Sequence, residues 1–328
     1  MSHDAPHHAA QHPPRPAPRP APRPAPRPAA GLRAAVARRP LTAFFALAYG
    51  LSWLAWIPYL LSSHGTGVLP FSFPAVLGTS QLLGVLPGAY LGPVTAALVV
   101  TALVEGRSGL RAWRGRLLRF RVGWRWYLGV GVVVPVSVLA ATFVLPQAWD
   151  AVRPVSALLL LGYLPMLAVQ VVTTALAEEP GWRDFALPRL QERLGAVRGT
   201  VLLGLLWGAW HWPLFLTEWG GWPHVSWVQP TLFTLSCVPL SLVMTWVFNR
   251  TGQSVPLVML LHAGINSTYT LLWPAVFPAL DGDHDTLVVQ LFATGLATAV
   301  LLVLTRGRLG APAARAAAPP APAPQLSR

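Results

Sequence analysis

The chain has 328 residues, 54% of them hydrophobic and 11% charged, with a formal net charge of +13. A soluble domain uses about 25% charged residues to keep its surface wet, so a soluble globular protein is excluded. The apolar residues come instead in blocks of roughly twenty, the length that crosses a bilayer core of about 30 Å.

All 24 basic residues are arginine. In a soluble protein such a charge would point to nucleic acid. The polar segments hold no aromatic-plus-basic platform for bases, so nucleic acid is not expected as a partner and the arginines are read as topology signals. The single cysteine, Cys237, rules out a disulfide framework or a Cys-based metal site within one chain.

Residues 1–39 repeat Arg-Pro-Ala-Pro, with arginines at 15, 19, 23 and 27. Proline at this density prevents a helix, so a semi-extended, disordered arm is expected. His3, His7, His8 and His12 lie in it and offer at most a weak metal site. The arm is not a secretory signal, because about forty residues precede the first apolar block. A second Ala/Pro tail is expected over 309–328, without a prenylation box. The membrane domain between them, 40–308, is expected to be an all-α bundle of about eight spans.

The spans fall near 41–62, 83–104, 125–146, 155–179, 199–216, 227–249, 254–274 and 286–305. Residues 68–82 are apolar but broken by Pro70, Pro74 and Gly78, and read as an interfacial or re-entrant loop. Eight spans put 23 of the 24 arginines on one side, with only Arg153 opposite. Asp150, Glu218, Asp281, Asp283 and Asp285 join Arg153 there. A wrong span count would scramble this split, so both termini are expected to be cytoplasmic. Loop 105–123 spaces Leu110, Trp113, Leu117, Leu118 and Phe120 among arginines, as an amphipathic helix lying on the inner leaflet would.

A charge at the bilayer centre costs about 2.5–3.5 kcal/mol even on the mildest scale, which makes the few polar groups inside spans informative. Glu178 and Glu179 end the fourth span, His211 lies in the fifth, and His262 and Asn266 lie in the seventh. His262 and Asn266 are four apart and share a helix face. Glu179 and Arg183 have the same spacing and could form an ion pair. Glu178 and Glu179 differ by about 100° around the axis and should serve different partners. Pro180 should kink or restart the helix.

Peptide hydrolysis needs a base for water, donors for the oxyanion and a proton for the leaving amine. Glu178 suits the first and third tasks, His211 can orient the water, and His262 with Asn266 can face the oxyanion. No serine or cysteine stands in a recognisable nucleophile context. Other readings of the same set are a non-catalytic scaffold and a transporter relay, the latter opposed by the lack of an inverted repeat.

The motifs Glu178-Glu179-Pro180-Gly181-Trp182-Arg183, Trp207 to His211, and His262 to Asn266 resemble a known family over roughly 155–275. It is the family of intramembrane endopeptidases related to CAAX prenyl protease 2, which includes bacteriocin-processing and bacteriocin-immunity proteins (CPBP or Abi). The resemblance implies Glu178 as general base and His211 as its partner on the water. It implies His262 and Asn266 as the oxyanion hole, with Glu179 and Arg183 ordering the site or gripping substrate backbone. A position where the family has Gly holds Asp184 here. The family's metalloprotease label leaves zinc on Glu178, His211 and His262 as the alternative; the metal-free glutamate mechanism is favoured. Expected partners are the lipid bilayer and a polypeptide substrate, and a coding bias toward Ala, Pro and Arg suggests a bacterial plasma membrane. The cavity is expected to open toward the cytoplasm, although Glu178 counts out shallower than the two histidines.

Overall fold

The computed structural model describes residues 31–282 and 284–311. The readings for the arginine-proline repeat, its four histidines, Asp283 and the final tail lie outside the described residues. Among the described residues the chain is helical and has no strand.

Eight helices are long and apolar enough to span a membrane. A short helix, α1 (Leu32–Arg38), precedes them. The spans are α2 (Pro40–Leu61), α3 (Gln81–Val104), α5 (Trp124–Val144), α6 (Ala157–Leu194), α7 (Ala196–Leu216), α8 (Val228–Arg250), α9 (Val255–Val276) and α10 (Asp285–Thr305). Between α3 and α5 lies the amphipathic α4 (Gly106–Leu117).

Three details differ from the sequence reading. Residues 32–38 are helical rather than part of the extended arm, because this alanine-rich stretch is free of proline until Pro40 and favours helix. At the other end Leu309 is buried, and its carbonyl accepts from Asn249 Nδ2 at 2.9 Å, so the tail's first residues are packed.

The third difference matters most. The fourth span does not stop at Glu179 but runs on to Leu194. Pro180 neither ends the helix nor restarts it, because residues Pro180–Ala186 widen into a π-helical turn. The wider turn absorbs the missing proline donor and keeps the ring off the preceding carbonyl. A second π turn, Val171–Ala175, lies just before the glutamates. Glu178 and Glu179 therefore sit inside a 38-residue helix, between two points where its regular geometry is relaxed. Counted from Ala186, Glu178 lies about 12 Å in, close to the roughly 10 Å of His262 from Val255. Glu178 and His262 thus lie at similar depths once Leu187–Leu194 is taken as projecting beyond the apolar layer, while His211, about 22 Å from Ala196, remains deeper.

α9 is the central helix, with 72% of its most apolar stretch buried inside the protein. α7 lies very close to α8: a Cβ at Gly204 or Gly208 would come within 2.7 Å or 2.6 Å of an α8 Cα. The four-residue spacing of these glycines lets the two backbones approach as small residues do in membranes. Gly181 does the same for α6 and α3, since a Cβ there would meet the Pro93 backbone at 2.6 Å.

Candidate active site

Glu178 is 4% exposed and accepts a hydrogen bond from Trp207 Nε1 at 2.6 Å. Glu179 is fully buried and turns elsewhere: Oε1 accepts from His262 Nδ1 at 2.8 Å, and Oε2 lies 3.3 Å from Arg183 Nε. The adjacent glutamates thus serve different partners, as their angular separation requires. The Glu179–Arg183 contact has the expected i,i+4 spacing. Arg183 is also fully buried, donates to Ser241 Oγ at 3.1 Å, and lies 4.2 Å over the Trp207 ring. A guanidinium over an indole face gains cation–π attraction, which is stronger where water is excluded.

His211 Nδ1 stands 2.9 Å from the Trp207 carbonyl oxygen. A carbonyl only accepts, so Nδ1 carries the proton and donates, and in the neutral ring Nε2 keeps its lone pair. The ring stacks on Trp219 with centroids 5.6 Å apart and an interplanar angle of 13°. His262 meets the Trp207 ring edge-to-face at 5.2 Å. Trp207 therefore touches Glu178, Arg183, His211 and His262 together. In the sequence it was only the aromatic of an aromatic-x-x-x-His pattern. Its spacing to His211 was the available signal, but a bond to Glu178 on another helix has no local signature.

Glu178, His211, His262 and Asn266 all line one cavity of about 690 Å³. Glu179 and Arg183 do not line it. Of the two roles implied for that pair, ordering the site is compatible with this burial, whereas gripping substrate is not.

The amphipathic α4 does more than lie on a leaflet. Trp113 is buried and donates from Nε1 to the Pro180 carbonyl at 3.1 Å. Arg116 donates to Asp184, which is fully buried. Asp184 is thus an anchor for α4 on the π turn beside the glutamates, and together these contacts close the arginine-rich end of the site. The cavity lining reaches instead to Leu77, Thr79 and Gln81 at the other end of the bundle.

The rim at the open end is tied down by a polar cluster. Glu218 Oε1 accepts from Tyr59 OH at 3.0 Å and from Ser80 Oγ, and Oε2 lies 2.9 Å from His64 Nδ1. Burial pushes the Glu218 carboxyl up, but the bonds from Ser80, His64 and Tyr59 outweigh it, so it lies below its ordinary value. A depressed folded value stabilises above the unfolded carboxylate pKa of about 4.3 and is lost as pH falls through the lower folded value. Hydrogen exchange of residues 62–80 should therefore stay slow at neutral pH and quicken on acidification below about pH 4. Glu218→Gln should flatten that dependence; an unchanged profile in the variant would remove the carboxylate from the account.

The donor types of Glu178, His211 and His262 suit zinc. Among the described residues, however, no three His, Cys, Asp or Glu side chains are grouped to hold an ion.

Eight apolar helices around a buried carboxylate, two imidazoles and an amide define a polytopic membrane protein with a polar site inside its bundle. Residues 160–268 match the family described as type II CAAX prenyl endopeptidase, Rce1-like, and the resemblance read from the motifs holds over that core. The chain is also 29% identical over 114 residues to CAAX prenyl protease 2 of Methanococcus maripaludis, a stretch covering 34% of this chain and 41% of that protein. The chain thus matches about two-fifths of that relative's length.

Proposed function

We propose that this protein is an intramembrane endopeptidase in which Glu178 activates water without a metal. Glu178 takes a proton from water as the oxygen attacks the peptide carbonyl carbon. His211 Nε2, left as an acceptor by the Nδ1 bond to Trp207, takes the water's second hydrogen in a hydrogen bond and sets its direction. The carbonyl oxygen becomes an oxyanion, and Asn266 Nδ2 and His262 Nε2–H donate to it. His262 donates from Nε2 when it also keeps its Nδ1 proton on Glu179, and the carboxylate offsets the charge of that imidazolium. Glu178 then returns its proton to the leaving amine as the C–N bond breaks.

The observation that carries the reading is the common cavity of Glu178, His211, His262 and Asn266. The named relative is a CAAX prenyl protease, which supports a proteolytic role; the substrate and a bacterial plasma-membrane location belong to the proposal. The test compares peptide termini in membranes carrying the wild-type chain or Glu178→Ala. Termini that depend on Glu178 and persist under a zinc chelator are expected. Identical termini with an intact phenotype would favour a scaffold or immunity role, and loss under chelation would favour zinc.

A further inference from the structure

The bundle has two chemically distinct ends. One carries Arg107 to Arg121, Arg189 to Arg198, Arg250, Arg306 and Arg308. Non-covalent contacts join these segments: Arg189 pairs with Glu105, and Ser254 Oγ donates to the Arg119 carbonyl at 2.7 Å. The other end gathers residues 62–80, 145–156, 217–227 and 277–282, with Arg153 as its one described arginine. These are joined by the His64–Glu218 contact and by Arg153 N donating to the Val276 carbonyl at 2.7 Å. Connections rich in arginine stay in the cytoplasm.

Two ladders lead from the site, and both run to the arginine-poor end. On α6, Glu178, Thr174, Gln170 and Met166 line the cavity at four-residue intervals, one turn apart on one face. On α9, which runs the opposite way through the bundle, His262, Asn266 and Thr270 do the same. Gln170 Nε2 reaches Thr270 Oγ1 at 3.5 Å, bridging the ladders near the mouth. Leu77, Thr79 and Gln81 complete the rim from the arginine-poor end. Toward the arginine-rich end the path is filled by Trp182, Arg183 and Phe185, none more than 1% exposed, with Trp113 bonded to the Pro180 carbonyl behind them.

The cavity wall has its own selectivity. Glu178 is its one carboxylate among the described residues, and no arginine lines it. An imidazolium at His262 is already paired with Glu179, and no lysine or arginine lines the cavity to hold a free C-terminal carboxylate. The threonine, glutamine and asparagine side chains of the ladders can bond the backbone of an extended strand, and the facing tryptophans can take apolar side chains.

Resting on the endopeptidase reading, we infer that the site is served from the non-cytoplasmic face. The class of substrate is an internal, uncharged and largely apolar segment of a membrane-anchored polypeptide, extended on that side of the bilayer. Substrate descends between α6 and α9 to Glu178, and α4 closes the cytoplasmic end.

Two measurements test this in intact cells with the full chain. The first is labelling with a membrane-impermeant maleimide of Leu77→Cys at the rim and Ser108→Cys on α4, both of which keep every arginine, against wild type as the baseline for Cys237. Label on Leu77→Cys in intact cells, and on Ser108→Cys only after permeabilisation, is expected; the reverse pattern overturns the inference. The second uses two single-span reporters with the same extended apolar segment at the outer or the inner end of the span. Cleavage of the outer reporter is expected, and cleavage of the inner one alone overturns the inference. If neither is cut, the endopeptidase reading fails, while the labelling still upholds or overturns the side of access.

Discussion

Glu178→Gln is expected to lower peptide cleavage by about 10³-fold or more, within the range a positioned acid–base group supplies, while leaving the amount of folded protein nearly unchanged. The amide keeps an oxygen that accepts from Trp207 Nε1, a bond of 2.6 Å in the wild-type chain, so the indole is not stranded. What it loses is the ability to take a proton from water and return it to the amine. Glu178→Ala differs, because it also leaves the buried indole donor without a partner, at a cost of about 1–3 kcal/mol. Comparing detergent-stable yield with cleavage for the two variants separates the structural bond from the chemistry. A glutamine variant that still cleaves at the wild-type rate would remove Glu178 as the base.

Much of the fold was legible because a bilayer imposes a length and a sign. Span limits such as 254–274 and 286–305 fall within two residues of the helices Val255–Val276 and Asp285–Thr305. The site was partly legible for the same reason: Glu178, His211, His262 and Asn266 are costly in hydrocarbon, so their presence had to be explained. Three things were hidden. Pro180 reads locally as a breaker, whereas the helix widens there into a π turn whose Gly181 packs against the Pro93 backbone. Asp184 read as a departure from the family pattern, whereas its partner Arg116 lies 68 positions away. Arg183 was counted among the cytoplasmic arginines, yet it is fully buried beside Glu179. These are pairings between helices, and helical periodicity carries no information about them.

The layering follows from cost. Charged groups not needed in the cavity are paired behind it, so the cavity presents one carboxylate, two imidazoles and amides. Glu179 holds both Arg183 and His262, and this gives it a structural weight that Glu178 lacks.

Glu179→Gln is therefore expected to destabilise the folded protein more than any change at Glu178, by about 3–5 kcal/mol, the cost of breaking a buried ion pair from one side. The amide still accepts from His262 Nδ1, but Arg183 is left as a buried charge whose remaining contacts are Ser241 Oγ, Met244 S and the Trp207 ring. None of these carries a negative charge. Replacing both residues, Glu179→Gln with Arg183→Met, removes the stranded charge and should recover most of the stability, since an apolar side chain in place of a buried charge is often neutral or better. Cleavage should not recover, because the carboxylate that holds His262 Nδ1 is then gone. Thermal unfolding of the two single variants and the double variant measures the coupling. A double variant no more stable than Glu179→Gln would mean that the cost lies in packing around residue 179 and not in the unpaired arginine.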